Sequence, residues 1–309
     1  MEKVCIMLST YNGEKYLEEQ LESIFLQSEV DVFLVVRDDG SNDDTIQILH
    51  NWSEKTQKVY FPDELNGFHC ANGVGSSYML LLRYCINNFP DVNYFGFADQ
   101  DDVWKEDKVI RGVKALEKYD TDRTLYFTKK SIVDENLKRI GQDVIRFHNN
   151  FCDFLSPNDA SGCTMLFNRS LGEQIIIANY EQTGFMHDSI LMNVALCTGA
   201  KIIYDDYESI LYRQHSSNVV GRKTEQLLTR KNLSIIFQKR RHYTRKEAVM
   251  ILKFYGEQIA PETKKLLEEV MNVKNPISSF SLLKLYYLNS HRSYKDKLRF
   301  TATILLNGI

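Results

Sequence analysis

The chain contains no CxxC pair, no glycine fingerprint after its first strand-like run, and no Walker phosphate loop. It has no stretch of about 18 uninterrupted apolar residues, the length that a membrane-spanning helix needs. No internal repeat or low-complexity tract interrupts it. These absences argue against a dinucleotide-binding oxidoreductase, a P-loop enzyme and an integral membrane protein. The one glycine pair near a helix start, Gly73-Val74-Gly75, lacks a third glycine and follows no strong strand signal. Six cysteines stand singly, at Cys5, Cys70, Cys85, Cys152, Cys163 and Cys197, several inside apolar runs. They are expected to be reduced, buried thiols of a cytoplasmic protein rather than a disulfide frame. Met1-Glu2-Lys3 runs straight into a strand-like segment, so no signal peptide is expected.

What is present suits a globular protein. Of 309 residues, 43% are hydrophobic and 26% charged, enough for one large domain or one domain with an appendage. The formal net charge of −3 hides an asymmetry. Residues 221–309 carry 18 Lys and Arg against 7 Asp and Glu, whereas residues 1–220 carry 20 against 34. The chain is an acidic body with a basic tail.

Along the first hundred residues, short apolar runs alternate with helical spacing. Val4–Leu8, Val32–Val36, Val59–Phe61 and Tyr94–Ala98 read as strands, the first two as strands buried on both faces. Leu17, Gln20, Leu21, Ile24 and Phe25 predict a helix over 14–27, Thr45–Asn51 a second, and Tyr78, Met79, Leu82, Cys85 and Ile86 a longer third. Such alternation predicts an α/β, doubly wound, mainly parallel sheet. Further on, a helix is expected over 105–118, strands at Thr124–Thr128 and Gly162–Asn168, and a helix from His187 to about Cys197. Lys201–Tyr204 and Ile210–Arg213 read as two closing strands, and the pattern beyond Gly221 is helical. The expected organisation is a catalytic domain over 1–220, with a donor half to about 104 and an acceptor half over 105–220, followed by a basic helical extension over 221–309.

Polar clusters follow the strands, where ligands bind in such sheets. Asp99, Asp101 and Asp102 fall within four residues after Tyr94–Ala98. Carboxylates this close repel one another unless protons or cations compensate, and a hard divalent cation is such a compensator. An acidic turn with Asp102 as a helix N-cap is the competing explanation. Asp38-Asp39-Gly40-Ser41-Asn42-Asp43 follows the second strand, where a carboxylate could accept from a ribose hydroxyl or a base imide. A capped helix start at Ser41 or Asn42 competes there. Two such clusters on one rim make a site.

These segments resemble glycosyltransferase family 2. The likeness lies in Leu8-Ser9-Thr10-Tyr11-Asn12-Gly13, Arg37-Asp38-Asp39-Gly40-Ser41 and Phe97-Ala98-Asp99-Gln100-Asp101-Asp102-Val103-Trp104. It continues through Ser161-Gly162-Cys163-Thr164, His187-Asp188 and Tyr212-Arg213-Gln214-His215-Ser216-Ser217-Asn218, and covers about residues 3–221. The combination is most similar to the rhamnosyltransferase-like branch of bacterial cell-surface polysaccharide synthesis. The resemblance implies a GT-A fold, inverting transfer, Mg²⁺ or Mn²⁺, and a nucleoside-diphosphate sugar such as dTDP-rhamnose or a UDP-sugar. It implies a saccharide or lipid-linked saccharide as acceptor. Carried over by position, Thr10, Tyr11, Asn12, Asp38, Asp39 and Asp99 bind the donor nucleotide, Asp101 ligates the metal, and His215 lies near metal or diphosphate. Asp188 matches the catalytic base, against the plain alternative of an anion favoured at a helix N-terminus. His187 orients Asp188, touches acceptor or caps the helix; Trp104 shapes a pocket or plugs the core. Gly162 and Cys163 join His187 and Trp104 at the expected acceptor or sugar pocket. A basic residue that many family members carry before the acidic pair is missing from Asn72–Tyr78.

Within enzymes the rival is a nucleotidyltransferase, which should carry a glycine- and basic-rich loop after the first strand. A non-catalytic sugar-nucleotide-binding module is the rival outside them. The tail places Lys239-Arg240-Arg241-His242-Tyr243 and Arg245-Lys246 among aromatics, and Leu298–Leu306 beside Lys295, Lys297 and Arg299. Solvated helix faces and peripheral binding to anionic membrane compete as explanations; nucleic acid is not expected.

Overall fold

The computed structural model describes residues 1–66, 70, 72–119, 122–147, 149–155, 159–215, 244–273 and 278–307. Strands β1 (Lys3–Thr10), β2 (Asp31–Asp38), β3 (Val59–Tyr60) and β4 (Tyr94–Ala98) pair in parallel in the order 3-2-1-4. Helices α1 (Glu14–Phe25), α2 (Thr45–Thr56) and α3 (Val74–Asn88) connect them. Val4 to Leu8 are completely buried, as the unbroken apolar run requires. Each such side chain contributes about 1.5–3 kcal/mol on leaving water.

Beyond β4 the sheet becomes mixed. After β5 (Val103–Trp104) and α4 (Lys108–Leu116), β6 (Thr124–Val133) forms a hairpin with β7 (Arg139–Gln142). Strand β8 (Leu166–Asn168) runs antiparallel to both β4 and β6. Helices α5 (Arg169–Ile175) and α6 (His187–Cys197) lead to β9 (Lys201–Arg213), which pairs parallel with β6 and antiparallel with β5. The expected parallel sheet therefore holds for the first half only.

Other elements also differ from expectation. Gly162–Thr164 is a single 3₁₀ turn rather than strand, and only Leu166–Asn168 pairs. The two expected closing strands are one, because β9 absorbs its irregularity as register shifts against β6. Asp107, not Asp102, precedes the helix after the acidic cluster, and Asp44, not Ser41 or Asn42, precedes α2.

The described residues of Met1–Ile145, Asp159–Ala195 and Ala200–Gly221 form one compact unit. A second unit takes Arg146–Asn158, Leu196–Gly199 and Arg222–Ile309, so it draws an internal segment as well as the tail. Its described helices are α7 (244–255), α8 (Pro261–Asn272), α9 (Phe280–Asn289) and α10 (Tyr294–Asn307). Ala248, Ile251, Leu266, Leu267, Val270 and Leu282 form its buried interior, and Arg292 pairs with buried Asp153 (2.9 Å). The basic cluster 239–243 lies outside the described residues, as do 216–218. All six cysteines are free and buried.

Candidate active site

The order 3-2-1-4 reverses direction between β1 and β4, and a crevice at the carboxyl ends of such strands is where open α/β sheets bind ligands. The loops leaving β1, β2 and β4 meet there. Asp38 is buried: its Oδ2 accepts from Thr10 Oγ1 (2.8 Å) and Ser41 Oγ (2.6 Å), and its Oδ1 from the N–H groups of Gly40 and Ser41. Thr10 and Asp38 thus build the loop rather than present polar atoms to a ligand. Asn12 clasps the neighbouring loop, taking an N–H from Asn42 (2.9 Å) while its own N–H donates to Ser41 Oγ (2.8 Å). The Tyr11 ring remains exposed on this rim.

Asp39 is held differently. Fully buried Arg37 donates to its Oδ1 (2.6 Å), as does the N–H of Cys70 (2.7 Å), and the same guanidinium reaches Ser77 Oγ (2.8 Å).

The acidic loop divides its three carboxylates. Asp99 accepts from Tyr78 OH (3.3 Å) and from the Cys163 thiol. Burial raises its pKa to about 6; the Asp101 charge adds to this, while the Cys163 hydrogen bond, the Lys130 charge and Tyr78 oppose it. Asp101 Oδ2 faces His215 Nε2 at 2.8 Å, and the imidazole packs on Tyr16. Gln100, between them, pairs with both backbone groups of Tyr11 (2.8 and 3.0 Å), tying the loop to β1.

Asp102 points inward. Its Oδ1 accepts from Arg213 N–H (3.1 Å), and its Oδ2 has no hydrogen-bond partner. Burial pushes its pKa well up, reinforced by the Asp99 and Asp101 charges, which favours the neutral acid. Nearby Lys108 lies over the Trp104 ring (3.8 Å), fully buried, and burial lowers its pKa to about 7. Trp104 belongs to the hydrophobic core, with its indole N–H unpaired.

Segment Ser161–Thr164 joins this loop to α6. A Cβ on Gly162 would lie 2.0 Å from His187 Nε2, while Cys163 meets Asp99. His187 is buried between Tyr78 (4.0 Å between centroids) and Phe97 (4.8 Å), and neither ring nitrogen has a partner. Burial drops its pKa to about 3, so it stays neutral. The ring packs against these two aromatic side chains. Asp188 follows in the first turn of α6, its Oδ1 accepting from Ser189 N–H (2.6 Å). Burial raises its pKa, opposed by the Ser189 hydrogen bonds and the charge of Lys130.

One helix ties these clusters together. Adjacent residues of α3 touch three of them: Ser77 the Arg37–Asp39 pair, Tyr78 both Asp99 and the histidine beside Asp188. Sequence reasoning missed Gln100, Arg213, Lys108 and Lys130. Arg213 donates to Asp101 O (3.0 Å) and ion-pairs with Glu19, fixing the acidic loop from β9. Gln100 and Arg213 lay within motifs already singled out; nothing local separates Lys130 from Lys129.

A sheet ordered 3-2-1-4 with acids beyond its switch point is the frame of a GT-A glycosyltransferase. The crystal structure of S. aureus TarS 1–349 in complex with UDP-GlcNAc shares that fold, covering 98% of this chain and 79% of its own at a TM-score of 0.59 and 15% identity. The glycosyl transferase family 2 profile matches residues 5–176, and the chain belongs to that family. The dTDP-rhamnosyl transferase RfbG of Shigella flexneri is 28% identical over 259 residues, 79% of this chain and 83% of that protein. An uncharacterized glycosyltransferase of Rickettsia typhi, RT0329, is 27% identical over 80% of this chain and 74% of its own length. The protein is a glycosyltransferase.

Proposed function

We propose that this enzyme transfers a sugar with inversion, rhamnose by preference, from a nucleoside diphosphate to a saccharide or lipid-linked saccharide of the bacterial cell surface. The observation that carries this reading is the double contact of Tyr78, with donor-side Asp99 and with the histidine next to Asp188. It brings the two halves of an in-line displacement onto one helix. The likeness to RfbG supports a deoxyhexose donor on dTDP.

Asp188 takes the proton of the acceptor hydroxyl as that oxygen bonds to the anomeric carbon and the bond to the diphosphate breaks on the opposite face. General-base assistance of this kind contributes roughly 10²–10⁴-fold. Exposed Tyr11 and the Arg37-anchored carboxylate of Asp39 bind base and ribose; Asn12 holds the loop that presents them.

The donor set fits a divalent cation. Asp101 and His215 present ligand atoms 2.8 Å apart, and Mg²⁺ or Mn²⁺ takes carboxylate oxygens; among the described residues Asp99 groups instead with Asp102 and Cys163, their ligand atoms within 4.8 Å of one another. Bound by Asp101 and His215, the ion supplies Lewis-acid relief of charge on the departing diphosphate.

The test uses Asp188→Asn. This variant should retain metal-dependent thermal stabilisation by the donor, about 2.7 kcal/mol at 100 times Kd, and lose transfer by 10²-fold or more. dTDP-rhamnose should stabilise more than UDP-sugars, which are tried because TarS was solved with UDP-GlcNAc. Near-normal turnover by the variant would refute the base.

A further inference from the structure

A charged side chain lies buried between β2 and α3. Successive side chains of a strand point to opposite faces, and on β2 the residues Val32, Leu34 and Val36 join the hydrophobic core from one of them. Asp38 continues that face and turns to Thr10 and Ser41. Arg37 occupies the other face, toward α3, and is completely buried. Its Nη1 donates both to Asp39 Oδ1 (2.6 Å) and to Ser77 Oγ (2.8 Å). The same carboxylate oxygen takes the N–H of Cys70 (2.7 Å), while the backbone N–H of Asp39 donates to Thr10 O (2.8 Å). Of the Asp39 side chain 12% stays accessible, so the carboxylate is enclosed by protein yet still open to a ligand at the carboxyl end of β2. A hydrophobic residue of similar volume could pack this face without the desolvation that a buried ion pair entails. What Arg37 adds is direction, because it ties a carboxylate on a loop to a hydroxyl on a helix.

We propose that Arg37 is a positioning residue for nucleotide selection: it aims the Asp39 carboxylate to accept from the ring imide N–H of a uracil or thymine base. The inference rests on the contact of Asp39 with the donor nucleotide given above. A guanidinium donates and never accepts, so it holds Asp39 as an acceptor. Uracil and thymine offer an N–H at ring position 3, where cytosine carries an acceptor nitrogen. A site built to hydrogen-bond an N–H rejects an analogue that lacks it, since the enclosed acceptor is then left unpaired. That rejection needs a carboxylate that is held and does not swing aside. Lysine is a poor substitute, being a point charge on a flexible stem where Arg37 is a planar, pre-organised donor.

The experiment titrates the full-length enzyme, with Mn²⁺ present, with dTDP and with N3-methyl-dTDP, in which a methyl group replaces the imide hydrogen. Calorimetry gives the two affinities; kcat at saturating donor and circular dichroism are recorded beside them. Wild type should bind dTDP about 10²-fold or more tightly than the methylated form. Arg37→Met should weaken dTDP by about tenfold, the worth of one hydrogen bond to a charged group, and bring the ratio of affinities toward one, with kcat little changed. Arg37→Lys and Ser77→Ala should fall between, and they carry the test should the methionine variant fail to fold. Asp39→Ala should also lose the ratio, and adding Arg37→Met to it should change the ratio no further. A folded Arg37→Met that keeps the full ratio sinks Arg37 alone. So does a loss of kcat and of both affinities with the ratio intact, which is the pattern of a structural role. A wild-type enzyme that binds the two nucleotides equally, or neither, or an Asp39→Ala that still discriminates fully, would instead sink Asp39 as the base contact.

Discussion

Gly162 makes the closest approach in the site. No Cβ can stand 2.0 Å from His187 Nε2, so any side chain here displaces the imidazole that fills the space between Tyr78 and Phe97. Asp188 is the next residue, and a shift of about 1 Å at a reacting group can cost 10²-fold. Gly162→Ala should therefore lower transfer by 10-fold or more while donor affinity, set at the β1 and β2 loops, changes little. Isothermal titration with the nucleotide alongside a turnover assay separates the two. Equal loss of both would sink this account. The same contact bears on His187, which the sequence left open among orienting Asp188, touching acceptor and capping the helix. His187 sits beside an acid at a helix start, which suggests ligand contact; enclosure by two aromatic rings makes it a neutral wedge. Asp38 is held within its loop, and Trp104 takes the core position that was one of its two readings. A polar or aromatic residue in a motif can serve the loop or the core that carries the site.

At the scale of elements, α3 is the spine. Its apolar spacing was plain in Tyr78, Met79, Leu82, Cys85 and Ile86, all buried. That its first turns carry contacts to both halves of the site was not, because those partners come from β2, β4 and α6, distant in sequence. Close approach at its start depends on Gly75: a Cβ there would lie 1.9 Å from the Phe185 carbonyl oxygen, in the loop before α6. Gly75→Ala should destabilise by about 1–3 kcal/mol, as overpacking against backbone does, and should slow transfer by displacing α6. A urea melt and a turnover assay check both; an unchanged midpoint would mean the loop yields freely. Strands β1, β2 and β4 and helix α6 were legible because each buries a short apolar run or shows clear helical spacing. The β6–β9 pair was not. Its register shifts arise from pairing between segments some 80 residues apart, which no local pattern encodes.

For the molecule as a whole, acidic and basic halves are separate in charge, and the chain has two compact units. No described helix is long and apolar enough to cross a membrane. In the second unit, α9 exposes Phe280, Lys284 and Leu288 at four-residue intervals, and α10 exposes Tyr294, Lys295 and Leu298. Apolar and basic groups together on exposed helix faces suit an anionic bilayer surface, at roughly 1 kcal/mol per Lys or Arg at the surface. We therefore propose peripheral binding at the inner face of the cell membrane. Vesicles with 30 mol% anionic lipid should sediment the protein more strongly than neutral ones, and added salt should weaken the difference. Double replacement of Phe280 and Leu288 by Ser should reduce it. Equal sedimentation with both vesicle types would remove the membrane from the account.

The sequence by itself determined the α/β frame, the family and most of the rim, because buried strands and strand-end acids are written in contiguous residues. Asp99, Asp101 and Asp188 could be named from short motifs read along one chain. Only the tertiary structure decided which carboxylate faces inward and which histidine is a wedge. Those properties depend on desolvation and on neighbours brought in from other strands. Burial and long-range charge are set by what packs around a group, and a linear pattern does not carry them.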